Sequence, residues 1–327
     1  MNRDELLSRL KPEMAKIDEA MAEDLAAIVN PTLREIIHHG IFNGGKRVRP
    51  LLTLLAANLC GAKIDHDAYR LAMTFEYLHA ASLLHDDVID HAEQRRGKAS
   101  ANTLWGNSNV ILAGDYLHTR AMTIAGTVGS PEILAVIGQA TASMVEAEFL
   151  QAKTVAEIDR SMDNYFAVLS GKTGALISSP CEVGALFAGA DEKQRRALHD
   201  YGRDLGLAFQ VVDDLLDYQG DPAKTGKAVG NDFQEGKMTL PLLHALAEAD
   251  AVDRDLLLSL LAATPEKRQG ELATAHAIIT ATNGFTHARA KAESLVEAAC
   301  AALTVFPDND AKKMLLGLGQ YVLTRQK

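Results

Sequence analysis

Twice along this chain a strongly apolar run ends in the same five-residue acidic cluster: Asp86-Asp87-Val88-Ile89-Asp90 after ASLLH, and Asp213-Asp214-Leu215-Leu216-Asp217 after GLAFQVV. An apolar run that stops in three carboxylates belongs near the end of a largely buried helix. There the first and last aspartates, four residues apart, share a face, while the middle one points about 100° away. Carboxylates this close repel one another strongly where the dielectric is low, and hard divalent cations with oxygen ligands relieve that repulsion. One such cluster also fits a solvated helix end; two on apolar helices fit it poorly. Magnesium prefers a few carboxylates plus phosphate oxygens of a substrate, so the pair suggests a diphosphate held between the clusters by several ions.

The rest of the chain agrees with a helical frame. Segments such as LLTLLAANLCG, LAMTFEYLHAASLLH, ILAVIGQATASMVEAEFLQA and LVEAACAALTVF carry apolar residues at helical spacing, and strand-like alternation is scarce. Breaks fall at Asn30-Pro31, Asn43-Gly44-Gly45, Gly129-Ser130-Pro131, Gly220-Asp221-Pro222 and Pro307-Asp308. No linker or repeat divides the 327 residues. The expectation is an all-α protein, a single domain over 1–327 of roughly a dozen helices, larger than most single-core domains.

Composition removes several function classes. A net charge of -10 disfavours a nucleic-acid surface, which needs a basic excess. Cys60, Cys181 and Cys300 lie far apart without a CxxC pair, so neither zinc nor a disulfide framework is indicated. A mean hydropathy of -0.03 and the lack of a long uncharged apolar stretch argue against a transmembrane segment. Residues 1–10 are too charged for a secretory signal, which leaves the cytoplasm as the expected location.

Basic residues gather in short clusters around the acidic ones. Gly44-Gly45-Lys46-Arg47-Val48-Arg49-Pro50 sets Lys46 and Arg49 three apart beside two glycines that let backbone approach an anion. Arg95-Arg96-Gly97 follows the first acidic cluster by five residues. Gly171-Lys172-Thr173 looks like the end of a Walker A motif, but Phe166 stands where that motif requires glycine, so a P-loop is rejected. Gly226-Lys227-Ala228-Val229-Gly230-Asn231-Asp232 and Lys237-Met238-Thr239-Leu240-Pro241 follow the second cluster.

Taken in order, GGKRVRP, LLHDDVID with its trailing RRGK, GKT, FQVVDDLLD, GKAVGND and KMTLP resemble the signature set of the trans-isoprenyl diphosphate synthases, also called polyprenyl synthetases. HDDVID, RRGKASANTLWGN and GDYLHTRA are similar to the long-chain bacterial, octaprenyl diphosphate synthase type. The resemblance implies an all-α bundle of the isoprenoid synthase type with a central cavity, working as a homodimer. It implies condensation of isopentenyl diphosphate with an allylic diphosphate primer, and a linear product that can be delivered to the membrane.

Site residues follow from the same resemblance. Asp86, Asp90 and Asp213, supported by Asp87, Asp214 and Asp217, would hold Mg2+, about three ions with substrate bound. Arg95, Lys172, Thr173, Gln210, Lys227 and Lys237 would contact the allylic diphosphate. Gly45, Lys46, Arg49, His79 and Arg96 would bind isopentenyl diphosphate. His79 lies seven residues before Asp86, on nearly the same helix face. Among these, Asp86, Asp90, Asp213, Lys172 and Lys227 would carry catalysis by neutralising the departing diphosphate. No Ser-His-Asp or Cys-His constellation is needed for that chemistry. Asn231 stands where many relatives carry an acidic residue. The basic end, Arg325-Gln326-Lys327, has positive charge that could cover the site when it closes, but reads rather as a frayed tail.

A class I terpene cyclase would share one DDxxD cluster, but the second DDxxD and the Lys46/Arg49 pair favour condensation. A non-catalytic subunit of a heteromeric synthase should lack some of the aspartates, and all six are present. Chain length reads from the residues before Asp86. A helix over 64–90 would span roughly 40 Å, enough to line a tunnel. Ala81 and Ser82 are small and would open its first constriction; Leu78, Phe75 and Thr74 lie deeper, and Phe149 is a candidate floor. The expected product is longer than roughly four isoprene units.

Overall fold

The computed structural model describes residues 3–95, 97–220 and 229–325. Among these, helix dominates and the only β-structure is a two-stranded ribbon, as the scarcity of alternation requires. Although no linker marks a boundary, contacts group the chain into two compact units. One comprises Met1–Thr141, Leu176–Gly202 and Leu303–Leu318; the other comprises Ala142–Ala175, Arg203–Ala302 and Gly319–Lys327.

In the first unit the chain runs through α1 (Arg3–Leu25), α2 (Pro31–Phe42), α3 (Val48–Leu59) and α4 (His66–Ile89). The ribbon β1 (Gln94–Arg95) and β2 (Lys98–Ala99) follows, then α5 (Ala101–Trp105), α6 (Asn107–Val128) and the start of α7 (Pro131–Glu157). Turn residues set the starts. Asn30 caps α2 by accepting the Leu33 N–H, with Pro31 at the first helical position, and Asp65 caps α4 by accepting from Ala68 N–H.

Helix α4 is the axis of this unit. It packs on α1, α2, α3 and α6, and buries Leu71, Met73, Phe75, Tyr77, Leu78, Ala81 and Leu84. A helix apolar nearly all round is stable only when enclosed in this way. Asp24 of α1 pairs with Arg120 of α6 and accepts the Tyr77 hydroxyl at 3.1 Å, which fastens the first helix to the axis.

The second unit takes the rest of α7, α8 (Met162–Leu169), a π-turn (Ser170–Gly174), the first residue of α9 (Ala175–Phe187) and the later part of α10 (Glu192–Gln219). After it come α11 (Asn231–Glu235), α12 (Leu240–Glu248), α13 (Ala251–Leu261), α14 (Pro265–Gly270), α15 (Leu272–Ala281), α16 (Gly284–Ala302) and the end of α17 (Asp310–Thr324). Its core centres on α12, whose Leu240, Leu242, Leu243 and Leu246 are buried against α8, α13, α15 and α16. The buried Arg268 donates to the carbonyls of Gln234, Leu261 and Ala263, and so pins α11 to the end of α13.

Helix α7 contains an 18-residue window of mean hydropathy 1.4 and is long and apolar enough, by length and composition only, to cross a membrane. Small residues and single polar ones are interspersed along it, so no uninterrupted apolar stretch is visible in the sequence.

Candidate active site

In the first unit α4 ends at Ile89, and Asp90 is its C-cap. The Asp90 N–H still donates to Asp86 O at 2.8 Å, so the two outer aspartates keep the one-turn relation expected of them. The middle one turns inward. Asp87 is 2% exposed, and its Oδ1 accepts both Nε and Nη2 of Arg95 at 2.6 Å. The ribbon folds back on α4 to bring Arg95 there, and Asn102 Nδ2 donates to Asp87 O at 3.0 Å. Burial lifts the Asp87 carboxyl above its ordinary range, with the Arg95 charge opposing the shift.

The glycine turn before α3 leaves Lys46 exposed and Arg49 half-buried. The Arg49 Nε is buried and meets no hydrogen-bond acceptor among the described residues. Desolvation pulls its guanidinium below the usual range, and the negative Glu76 partly restores it. His79 is half-buried on α4, one turn above the buried Phe75. Ala81 and Leu78 are also buried, and Ser82 donates its hydroxyl to His79 O at 2.9 Å. A recess in this unit takes Ala80, Leu83, Leu84 and Asp87 from α4, with His39, Asn43 and Arg95 at its sides. The expected chain-length residues Ala81, Ser82, Leu78 and Phe75 are not on its wall.

The second unit repeats the plan with different partners. Asp214 is 4% exposed; its Oδ2 accepts the Tyr165 hydroxyl at 2.8 Å and its Oδ1 accepts Gln210 Nε2 at 3.2 Å. Thr173 donates to Gln210 Oε1 at 3.0 Å, which orients the amide. The π-turn places Thr173 and Lys172, and such turns recur at functional sites. Gly171 is required there, because a Cβ would stand 2.7 Å from Ser143 O and 2.6 Å from the Ala147 side chain. Lys172 Nζ lies 2.6 Å from Glu148 Oε1 and 2.9 Å from Gln151 Oε1.

Asp213 stays half-exposed and pairs with Arg325 at 3.0 Å. Asp217 Oδ2 accepts the Asp232 N–H at 3.1 Å, and the Asp232 carboxylate meets Lys237 Nζ at 3.2 Å. Asp232 and Lys237 line one recess with Tyr165, Lys172, Thr173, Gln210 and Asp214. Burial, then the nearby Asp232, pushes Asp217 up to about 6 and Asp214 higher still. The neighbouring carboxylates Asp232 and Glu235 hold Lys237 firmly charged despite its burial.

Expected residues from the second half of the chain thus converge, and three that were not expected as site ligands join them. Tyr165 and Asp232 touch the cluster directly. Arg325, expected in a frayed tail, is 8% exposed at its side chain and seated on α10, so that expectation is corrected. A polar ring in the apolar run of α8 and the acid of GKAVGND were the available signals. Phe149 is 75% exposed, so this chain does not bury it as a tunnel floor. Arg96 and Lys227 lie outside the described residues.

The donor set suits a hard divalent cation. All candidate ligands are carboxylate oxygens, and in the second unit the outer ones, Asp213 and Asp217, stand beside the cations Arg325 and Lys237. Among the described residues no group of three or more His, Cys, Asp or Glu forms a ready-made cage. Magnesium takes one or two carboxylates and completes its shell with water and substrate phosphate.

Comparison with known proteins agrees with this chemistry. A family model described as polyprenyl synthetase matches residues 30–279. The chain is similar to the octaprenyl diphosphate synthase of Escherichia coli (strain K12), 34% identical over 329 residues and 100% of both sequences. Among solved structures it resembles a decaprenyl diphosphate synthase from Rhodobacter capsulatus, with a TM-score of 0.91, 38% identity and 100% of both chains covered. It also resembles a polyprenyl synthase from Caulobacter crescentus CB15 complexed with calcium and isoprenyl diphosphate, with a TM-score of 0.90, 34% identity, and 99% and 98% of the two chains covered.

Proposed function

The chain belongs to the polyprenyl synthetase family and is a trans-prenyltransferase, and from that premise we propose that it condenses isopentenyl diphosphate with an allylic diphosphate in a magnesium-dependent reaction. One observation carries the reading. In each aspartate cluster the middle carboxylate is buried on protein donors, Asp87 on Arg95 and Asp214 on Tyr165 and Gln210, so it acts as an anchor. The first and last aspartates, Asp86 and Asp90 in one cluster and Asp213 with Asp217 in the other, would be the ligands.

When bound, magnesium supplies positive charge that stabilises the diphosphate leaving group. Lys172, Thr173, Gln210 and Lys237 bind and orient the allylic diphosphate, with Arg95 and Lys227 as further cations. As the C–O bond breaks, their N–H and O–H groups meet the charge that develops on the bridging oxygen. Lys46, Arg49 and His79, with Gly45 and Arg96, hold isopentenyl diphosphate so that its double bond reaches the allylic cation. The buried Arg49 Nε is suited to an anionic acceptor. Proton loss from the new chain to the released diphosphate ends each cycle.

The product is a linear polyprenyl diphosphate of medium or long chain, octaprenyl-like, with Ala81 and Ser82 keeping the path beside α4 open. The protein works in the cytoplasm as a homodimer. Exposed Ile111 and Leu112 on α6 support an apolar subunit contact. Incubating the protein with magnesium, isopentenyl diphosphate and farnesyl diphosphate, then analysing the product by mass spectrometry, tests the reading. An extended linear diphosphate is expected. A cyclic hydrocarbon or unchanged substrates would overturn it.

A further inference from the structure

Arg47 lies inside the glycine-rich turn, between Lys46 and Arg49. It is the N-cap of α3 and has φ 49° and ψ 33°, a left-handed conformation that non-glycine residues seldom adopt. Its side chain is 3% exposed and runs inward. Nε donates to Asp18 Oδ1 of α1 at 2.7 Å, and Nη1 donates to Glu76 Oε1 of α4 at 2.7 Å. The Phe42 ring flanks the guanidinium 5.8 Å from its carbon.

This arrangement accounts for Gly45. A Cβ there would come 2.8 Å from Arg47 Nη1 and 3.4 Å from Glu76 Oε1, so any larger residue would displace the pair. Glu76 also acts electrostatically on the Arg49 guanidinium, and it sits three residues before His79, one turn along the same helix. One buried fork therefore joins α1, α4 and the turn that carries Lys46 and Arg49. A planar guanidinium can serve two carboxylates in fixed directions; an ammonium cannot hold the same geometry.

We propose that Arg47 is a positioning residue for the isopentenyl diphosphate site, and that through Asp18 it makes helix α1 part of that site's frame. The inference rests on the reading of Lys46 and Arg49 as ligands of that substrate. Arg47 itself is not a substrate ligand in this reading, because its side chain is 3% exposed and directed inward onto Asp18 and Glu76.

Steady-state kinetics with each substrate varied separately, on wild type, Lys46→Ala, Arg47→Lys and Asp18→Asn, provide the test. Arg47→Lys is expected to raise KM for isopentenyl diphosphate about tenfold while KM for the allylic primer stays within about twofold. Asp18→Asn takes the charge from one arm and leaves the Glu76 pair, so a rise of about threefold in the same KM is expected. A purely structural role would lower thermal stability without that split. Equal rises in both KM values, or none in either variant, overturn the inference. Should Arg47→Lys fail to fold by circular dichroism, Asp18→Asn decides alone. If Lys46→Ala raises the isopentenyl KM and the other two variants do not, only this inference fails. A wild type that forms no prenyl product removes the functional reading and the inference together.

Discussion

The Arg325 guanidinium lies 3.0 Å from the Asp213 carboxylate and 4.0 Å above the Phe209 ring. Phe209 and Asp213 are one turn apart on α10, so a single side chain from the end of the chain covers both. A cation already resting on a carboxylate opposes a second one. Arg325→Ala should therefore lower the magnesium concentration for half-maximal activity, by about threefold for a pair this close to solvent. Calorimetric titration with calcium should move the same way. A shift to higher magnesium would show that Arg325 assists the metal.

Removing an outer aspartate tests the two-cluster reading directly. Asp86→Ala and Asp213→Ala should each cut kcat by about 100-fold or more, since each removes a ligand to the ion that stabilises the leaving group. Folding should survive, because loss of one carboxylate also relieves like-charge repulsion. Near-normal turnover at saturating magnesium in either variant would contradict the assignment.

Substrate preference separates the basic residues. Lys46→Ala or Arg49→Ala should mainly raise KM for isopentenyl diphosphate, by about tenfold for one lost charge-assisted bond. Lys172→Ala should instead impair the allylic substrate, because Lys172 shares its recess with Thr173, Gln210 and Asp214. A selective loss of allylic primer in Lys46→Ala would reverse the roles.

Asp217 gives a pH signature in metal-free protein. Burial and Asp232 raise its folded value to about 6, above the ordinary 3.8. A raised value means that the folded state binds the proton more tightly. The associated stability is therefore full below pH about 4 and is lost as pH rises through about 6. Asp217→Asn avoids that loss. With EDTA present, its Tm should match wild type near pH 4 and exceed it by about 1–3 °C at pH 7.5. An advantage that shrinks as pH rises would refute the cause assigned.

Chain length is tested at Ala81. This residue is buried on α4 about one turn from Leu78, so Ala81→Phe adds bulk to the face expected to guide the growing chain. The variant should give products shorter by about two or more isoprene units, at roughly a turn of helix per unit, while the first condensation survives. Mass spectrometry of the products decides. An unchanged distribution would mean that this face of α4 does not guide the chain.

Local signals in the sequence translated into structure with few losses. Asn30-Pro31 and Gly129-Ser130-Pro131 do separate helices, and both acidic clusters do close the apolar runs of helices, because caps and periodicity act within a few residues. What escaped were partnerships across the chain. Nothing near Tyr165 announces Asp214, and nothing near Arg47 announces Asp18 and Glu76. Those pairings arise only when packing brings distant helices together. The inward turn of Asp87 and Asp214 was half legible: the 100° offset gives the direction, but not the arginine, tyrosine and glutamine waiting there.

The π-turn at Ser170–Gly174 has a consequence for inheritance. A π-turn closes on the fifth residue ahead instead of the fourth, so it carries one residue more than an ordinary helical turn. Deleting that residue would give a more regular helix and rotate all of α8 by about 100° relative to α9. Tyr165 would then swing away from Asp214, and Lys172 would leave Gln151 and Glu148. Insertions and deletions that surface loops absorb would here break the phase of the helix face, so descendants of this chain can change letters in the segment far more freely than they can change its length.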